Sequence, residues 1–224
     1  MVRWGLYSLR NLWARRVTTA LTVVGLGLVV FVLLAVLMLA HGLEQTLGKT
    51  GDPENVIILR KGALSEIGSS LSREEIRAVA AQPDVRLTAD GRPLAVAEVG
   101  LQLTLRKGQG GSLTSVTLRG TAPEALAVRP AIRLIQGRLW KPGTTEIVVG
   151  ASIARQFPDA RVDRVLHFGN RAWTVVGVFE AGGSGFDSEV WGDAEQFLAT
   201  FHRATFSSMT LRLAHPATLP AFKD

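Results

Sequence analysis

A serine that follows a glycine, with acids and histidines further along the chain, is the part of this sequence closest to a catalytic pattern. Gly150-Ala151-Ser152 stands between a predicted strand and a predicted helix, as the nucleophile of an α/β hydrolase does. Acid and base candidates follow in the order that such enzymes use: Asp187 or Asp193, then His202 or His215. The second glycine of the motif is absent, and no parallel sheet is predicted to present the serine. A structural turn is therefore the favoured interpretation.

Metal, phosphate and redox sites are not indicated either. The segment Gly182-Gly183-Ser184-Gly185 lacks the lysine and the spacing of a phosphate-binding loop. The sequence has no cysteine, so thiolate ligands and disulfides are unavailable. The histidines have no metal-ligand spacing among themselves, since they lie at His41, His167, His202 and His215. We predict no catalytic, cofactor or metal site in this chain.

The element that organises the chain is an apolar run from Val17 to Ala40, which contains no charged side chain. A hydrocarbon core about 30 Å thick requires roughly 20 helical residues, so this run is long enough to cross a membrane. A cleaved signal peptide is disfavoured because its apolar core is only about 7–15 residues long. We predict a transmembrane helix over residues 17–42.

The segment before this helix, residues 1–16, is basic and carries no acid. An excess of arginine beside one end of a span keeps that end in the cytoplasm, so residues from about His41 onward are expected across the membrane. The segment either forms an interfacial helix that couples to a cytoplasmic partner or serves only as a positive flank that sets topology. The coupling and topology residues predicted here are Arg3, Trp4, Arg10, Trp13, Arg15 and Arg16.

Small residues follow one face of the predicted span. Thr18, Thr22 and Gly25 are separated by four and three residues, which places them on the same side of a helix. Small side chains allow helices to approach closely within a membrane. We predict that this face packs against a partner transmembrane helix.

The overall charge of +6 does not indicate a nucleic-acid-binding protein. Without the four N-terminal arginines, 21 basic residues stand against 19 acidic ones, and no basic patch is evident. Nucleic acid is therefore not expected as a partner.

Residues 43–224 have the pattern of one α+β domain built from mixed hairpins and short helices. A capping box at Ser72 and Glu75 predicts a helix that ends near Pro83. Alternating leucines around the glycine-rich turn at 108–111 predict a hairpin over 101–118, and Gly169-Asn170 predicts a second one. Other elements are expected as strands at 56–60, 146–149 and 208–213, and as helices at 152–157 and 193–200. The order lacks a regular βαβ rhythm.

The stretch from Gly182 to Trp191 combines glycines with carboxylates and aromatic rings. It is expected to be either a loop that contacts a second copy or an envelope partner, or the lid of the domain core. The predicted contact residues are Phe186, Asp187, Glu189 and Trp191.

Several motifs together resemble the permease subunits of the MacB and FtsX family of ABC transporters. They cover most of the chain. The combination of the strand at 146–150 with the segments VVGVFEAGGS (175–184) and DSEVW (187–191) is fairly specific to that family's periplasmic domain. They read RNLWARR (10–16), TVVGLGLVV (22–30), VTLRGTAPEALAVRP (116–130), LIQGRLW (134–140), EIVVGASIARQF (146–157), WTVVGVFEAGGSGFDSEVW (173–191) and SSMTLRL (207–213).

The resemblance implies a permease of the bacterial inner membrane that is not itself an enzyme. It implies a separate ABC ATPase that holds ATP and Mg, a second permease copy as homo- or heterodimer, contact with membrane lipid, and a periplasmic adaptor or lipoprotein as a further partner. Such permeases transmit the motion of the ATPase to a periplasmic domain for export or lipoprotein handling. Their pattern includes three further spans after the domain, which are not in these 224 residues, so the chain is expected to be an N-terminal part. The alternative is a stand-alone, single-span periplasmic binding or adaptor domain.

Overall fold

The structure is a computed structural model that describes residues 16–48, 55–108 and 111–215. The chain divides into two compact units, Met1–Gly48 and Lys49–Asp224. In the described part of the first unit, residues 16–48, helix α1 runs from Arg16 to Gly48. Within it, Arg16–Gly42 has exposed apolar side chains and contains an 18-residue window with a mean hydropathy of 3.1, so it is long and apolar enough to cross a membrane. The predicted span is therefore confirmed as a helix of the required length and composition.

Within residues 55–108 and 111–215 the second unit is an α+β domain built on a nine-stranded sheet, which confirms the predicted fold class. Eight strands lie in the order β1-β9-β2-β3-β8-β5-β7-β4, and β6 pairs with β7. The strands are β1 (Asn55–Ile58), β2 (Ala95–Arg106), β3 (Leu113–Thr121), β4 (Arg133–Gly137), β5 (Glu146–Gly150), β6 (Val165–Phe168), β7 (Arg171–Glu180), β8 (Glu189–Asp193) and β9 (Ser208–Arg212).

In the described part of this domain, five short helical segments connect the strands. They are α2 (Arg73–Ala80), α3 (Ala125–Val128), α4 (Ala151–Gln156), a 3₁₀ turn (Gly185–Ser188) and α5 (Ala194–Thr200). Both caps predicted for the helices are present. Ser72 accepts a hydrogen bond from the Glu75 amide while Glu75 accepts one from the Ser72 amide. Asp193 accepts one from the Gln196 amide at the start of α5.

The two predicted hairpins are confirmed, and the structure gives the register of each. In the first, Leu103 pairs with Val116 between antiparallel strands β2 and β3. In the second, Phe168 pairs with Arg171 across a turn in which Gly169 and Asn170 have φ angles of 59° and 56°. Positive φ at both central residues is the type I′ geometry that matches the twist of adjacent strands.

Strand β8 corrects the prediction of a loop over residues 182–191. Glu189–Asp193 pairs in parallel with β3 on one side and antiparallel with β5 on the other, so it is an internal strand. All five of its residues are buried. The sequence pattern concealed it because Glu189 and Asp193 are polar at positions where an ordinary core strand is apolar.

The domain core lies on both faces of this sheet. One cluster contains Trp173 and Phe197, whose rings meet edge to face at 4.8 Å. The other contains Phe179 and Trp191, with ring centroids 4.8 Å apart. Both pairs have the spacing at which aromatic rings add to the stability from apolar burial. The second cluster adjoins a group of buried charges.

Candidate functional site: a buried ion network

Glu98, in the middle of β2, is the centre of this group, and its exposed fraction is 0%. Its carboxylate accepts hydrogen bonds from Nη1 and Nη2 of Arg129 at 2.9 and 2.6 Å, and from Nη1 of Arg119 at 3.2 Å. The hydroxyls of Thr121 and Thr210 donate to it at 3.0 and 2.9 Å. A buried carboxylate is tolerated only when it is paired and hydrogen-bonded in this way.

Arg119, on β3, joins three carboxylates through one guanidinium group. Its Nε and Nη2 donate to the two oxygens of Glu189 at 2.8 and 2.9 Å. Its Nη1 and Nη2 donate to the two oxygens of Glu66 at 2.6 and 3.3 Å. With the bond to Glu98, five contacts use the five N–H donors of the group, so its hydrogen-bonding capacity is filled.

Glu66 brings the loop between β1 and α2 into the network. The Ser208 hydroxyl of β9 donates to its carboxylate at 2.5 Å, in addition to the bonds from Arg119. The same loop is fixed a few residues away by Ser69, which is buried and accepts a hydrogen bond from the Arg60 amide at 2.8 Å. The loop that follows the first strand is therefore tied to the interior strands of the sheet.

Aromatic rings cover the two arginines. The ring of Phe186 lies 5.3 Å from Cζ of Arg119 and 5.2 Å from Cζ of Arg129, so it contacts both cations. Trp191 lies 5.7 Å from Cζ of Arg129, and its Nε1 donates to Glu189 at 2.7 Å. Cation–π contacts of this kind are strongest where water is excluded.

The electrostatics of the network favour its charged form. Burial raises the pKa of Glu98, but the attraction of Arg129 and then of Arg119 outweighs burial and holds the pKa below its ordinary value. Burial lowers the pKa of Arg119, but the attraction of Glu189 and Glu98 outweighs it, and the pKa is raised. The network we define comprises Glu66, Glu98, Arg119, Arg129 and Glu189.

This arrangement is suited to holding segments together and not to catalysis. A catalytic acid or base must reach a reacting atom, whereas the Glu98 carboxylate is enclosed and fully paired. The network links β2, β3, β8 and β9 with the loop after β1 and the segment after α3. Removal of one partner of a buried ion pair lowers the free energy of unfolding by about 3–5 kcal/mol. The ion pairs therefore hold these six segments together.

Three of the four residues predicted for partner contact are buried inside the domain. The exposed fractions of Trp191, Asp187 and Glu189 are 1%, 7% and 8%. Asp187 accepts hydrogen bonds from the amides of Ala181 and Gly183 and so shapes the turn. These three do not form a contact surface, because their polar atoms are used within the domain. Phe186 is half-buried, and its contact with a partner stays a prediction.

The other predicted site residues remain untested. Thr18, Thr22 and Gly25 lie on α1 with exposed surfaces, and the Thr22 hydroxyl donates to the Thr18 carbonyl at 2.9 Å. Their packing against another helix stays a prediction. Arg16 is the first residue of α1. Outside the described residues lie Arg3, Trp4, Arg10, Trp13 and Arg15.

Ser152, the serine considered above as a nucleophile, is hydrogen-bonded within α4. Its hydroxyl accepts a hydrogen bond from the Gln156 side chain at 3.0 Å, one turn further along α4. A Cβ atom at Gly150 would lie 2.2 Å from the carbonyl oxygen of Asp187. Gly150 is therefore needed for the close approach of the 3₁₀ turn.

Glu98, Arg119 and Arg129 were not among the predicted site residues. A signal for the first two was present, because each interrupts an apolar strand, in AVAEVG and in VTLRG. A charged residue at a core position of a strand requires a partner of opposite charge. The sequence alone did not identify the partner, since these residues meet only when β2, β3 and the later segments are assembled.

We expect the domain to lose stability as pH falls from about 4.5 toward 2. Hydrogen bonds from Arg138, at 2.6 and 2.7 Å, lower the pKa of Glu146 from 4.5 to about 2. A carboxylate with a lowered pKa contributes stability above its unfolded pKa, and this contribution is lost as pH falls to the folded pKa. The pKa of Glu98 is also lowered, so its contribution to stability is likewise lost as pH falls.

Chemical denaturation of the full chain between pH 7 and pH 2 measures this dependence. Glu146→Gln should be less stable than the parent at neutral pH and should show a shallower loss over the acid range. Parallel curves for the two proteins would mean that Glu146 does not contribute.

Comparison with solved structures finds the same fold in domains of two transporters. No curated protein sequence matches the chain. The periplasmic region of MacB from Actinobacillus actinomycetemcomitans has a TM-score of 0.58 and 15% identity, covering 76% of this chain and 80% of that chain. The extracellular domain of the noncanonic ABC-type transporter YknZ from Gram-positive bacteria has a TM-score of 0.56 and 16% identity, covering 75% and 87%. At these identities the likeness establishes the fold.

The sequence itself matches a family model. The model describes the MacB-like periplasmic core domain, a component of ABC transporter permeases, and it matches residues 19–224. This match includes most of the apolar helix and the whole of the described α+β domain. The chain therefore belongs to the MacB-like periplasmic core domain family.

Proposed function

We propose that this chain is the N-terminal part of a permease subunit of a MacB/FtsX-type ABC transporter. In this role it transmits the ATP-driven motion of a partner ATPase to its own extracytoplasmic domain. The observation that carries the proposal is the family match from residue 19 onward, because it joins an apolar helix and the domain in one unit. ATP and Mg belong to the partner ATPase, and the chain itself carries out no chemical reaction.

Charge distribution supports the orientation that this role requires. Residues 1–16 contain four arginines and no acid, which favours a cytoplasmic N-terminus. The domain then lies on the outer side of the inner membrane. There it is accessible to a second permease copy and to a periplasmic adaptor or lipoprotein.

The ion network supports transmission of force within the domain. A domain that passes on movement must keep its segments together, and interiors that are close-packed and fully paired deform little. The network ties the loop that follows the first strand after the helix to four strands of the sheet. Displacement of the first strand is therefore passed to these four strands.

The basic N-terminal segment is the proposed coupling element to the ATPase. We expect reversal of charge at Arg10, Arg15 and Arg16 to glutamate to lower co-purification of the ATPase about tenfold or more, because complementary charges steer and hold such contacts. The same reversal at three exposed arginines of the domain, Arg133, Arg161 and Arg164, serves as the matched control. The measurement is the amount of ATPase recovered with the tagged chain.

Charge reversal next to a span also affects insertion, so orientation is measured in the same cells. The sequence has no cysteine, which allows a single label at Leu64→Cys, a position that is fully exposed. A membrane-impermeant maleimide should label it from the periplasmic side in the parent. If the variant with Arg10, Arg15 and Arg16 reversed is correctly oriented and still recovers as much ATPase as the parent, the coupling role is contradicted.

A further inference from the structure

A cavity of about 360 Å³ lies between the start of β2, the end of β3 and the junction of β8 with α5. This volume is within the usual range of small-ligand sites, about 300–1,000 Å³. Its walls are mainly small or apolar: Ala95, Val96, Ala97, Ala122, Pro123, Pro142, Ala194 and Phe206. The four alanines leave open a space that leucine or phenylalanine side chains would fill.

Every charged residue that lines the cavity is acidic: Glu124, Asp193 and Glu195. Two of them have cationic partners near the surface. Glu195 forms an ion pair with Arg73 at 2.6 Å, and Glu124 lies 3.9 Å from Arg92. The cavity therefore combines apolar walls with an acidic lining, and only part of its negative charge is balanced.

Asp193 is the unbalanced charge. Its exposed fraction is 8%, and its two carboxylate oxygens accept hydrogen bonds from the amides of Gly143 and Gln196 at 2.9 and 3.0 Å. Within residues 16–48, 55–108 and 111–215 no basic side chain lies within ion-pair distance of this carboxylate. Burial of a charge without a counterion is unfavourable, so a cation that enters the cavity gains a strong interaction.

We propose that this cavity binds a protonated amine on a short alkyl chain. The alkyl part contacts the alanine methyl groups and the Phe206 ring, and the ammonium group donates to Asp193. Each oxygen of this carboxylate retains a lone pair after its amide hydrogen bond, so it can accept from the ammonium group. The amine is either a free small molecule or the side chain of a lysine from another protein. The inference is independent of the proposed transport role.

The test is a titration of the full chain in detergent micelles, with ¹³C-labelled alanine methyl groups as reporters. We expect n-butylammonium chloride to shift the signals of Ala95, Ala97, Ala122 and Ala194, which line the cavity. Equal concentrations of n-butanol and of sodium chloride should leave these signals nearly unchanged. Absence of shifts with n-butylammonium, or equal shifts with n-butanol, would overturn the proposal.

Two variants separate charge from packing. Asp193→Asn keeps a residue that caps α5 well but removes the charge, so it should weaken n-butylammonium binding about tenfold or more. Ala97→Leu fills the cavity and should abolish the shifts at the other three alanines. Unchanged affinity in Asp193→Asn, with the alanine spectrum showing an intact fold, would also overturn the proposal.

A parallel titration with Nα-acetyl-lysine N-methylamide identifies the source of the amine. If this compound binds as well as n-butylammonium, a lysine side chain of a partner fits the cavity together with its backbone. If only n-butylammonium binds, the cavity accepts a free amine.

Discussion

Replacement of Arg119 by methionine is expected to destabilise the domain more than any other single change in the network. The variant leaves Glu66, Glu98 and Glu189 without their shared cation, and the side chains of Glu98 and Glu189 are only 0% and 10% exposed. Removal of one partner of a buried ion pair costs about 3–5 kcal/mol, while domains of this kind have about 5–15 kcal/mol of stability in total. Urea denaturation of the full chain in micelles, followed by tryptophan fluorescence, measures the loss.

An exposed pair in the same domain provides the matched control for Arg119. Arg73 and Glu195 are 2.6 Å apart, but their side chains are 51% and 55% exposed. Arg73→Met should therefore cost only about 0–1 kcal/mol. A loss below about 1 kcal/mol for Arg119→Met as well would show that the network does not hold the domain together.

Exchange of Trp191 for alanine is expected to cost about 3–5 kcal/mol, on the scale of a buried aromatic truncation. The ring is 1% exposed, lies 4.8 Å from the Phe179 ring and donates a hydrogen bond to Glu189. Trp191→Phe keeps much of the packing and loses the hydrogen bond, so it should have an intermediate effect. The same denaturation experiment compares both variants.

Leu64→Ala is the control for Trp191, because Leu64 is fully exposed and should change stability little. A small loss for Trp191→Ala, together with weaker association between copies, would return this residue to the contact role that the sequence indicated.

The elements that the sequence predicted correctly are those with local signals. The capping box at Ser72, the turn at Gly169-Asn170 and the apolar run of α1 each depend on residues close together in the chain. Physical rules for such features need no knowledge of distant segments. For this reason their positions agree with the structure to within a few residues.

Strand β8 and the ion network could not be predicted in the same way. In the sequence, Glu189 has the character of a surface residue. Its partner Arg119 lies on β3, 70 positions earlier in the chain, and only the folded sheet brings the two together. Phe186 and Trp191 are aromatic residues of the kind found in contact loops. In the folded domain, however, the Phe186 ring contacts Arg119 and Arg129, and the Trp191 ring contacts Arg129. Pairing with distant segments therefore reversed the interpretation of Glu189 and Trp191, which the sequence alone had placed on a contact surface.

If the chain transmits the motion of an ATPase, as we propose, its α+β domain should move as one body when ATP binds. Nitroxide labels at Leu64→Cys and Leu113→Cys are suitable, since both leucines are exposed and the sequence has no cysteine. Pulsed electron spin resonance on the permease with its ATPase partner in nanodiscs gives distances with and without ATP. We predict that the distance between copies, from Leu64→Cys to Leu64→Cys, changes while the distance between the two labels within one chain stays constant. The proposed role would be contradicted if the distance between copies did not change with ATP, or if the distance between the two labels within one domain did change.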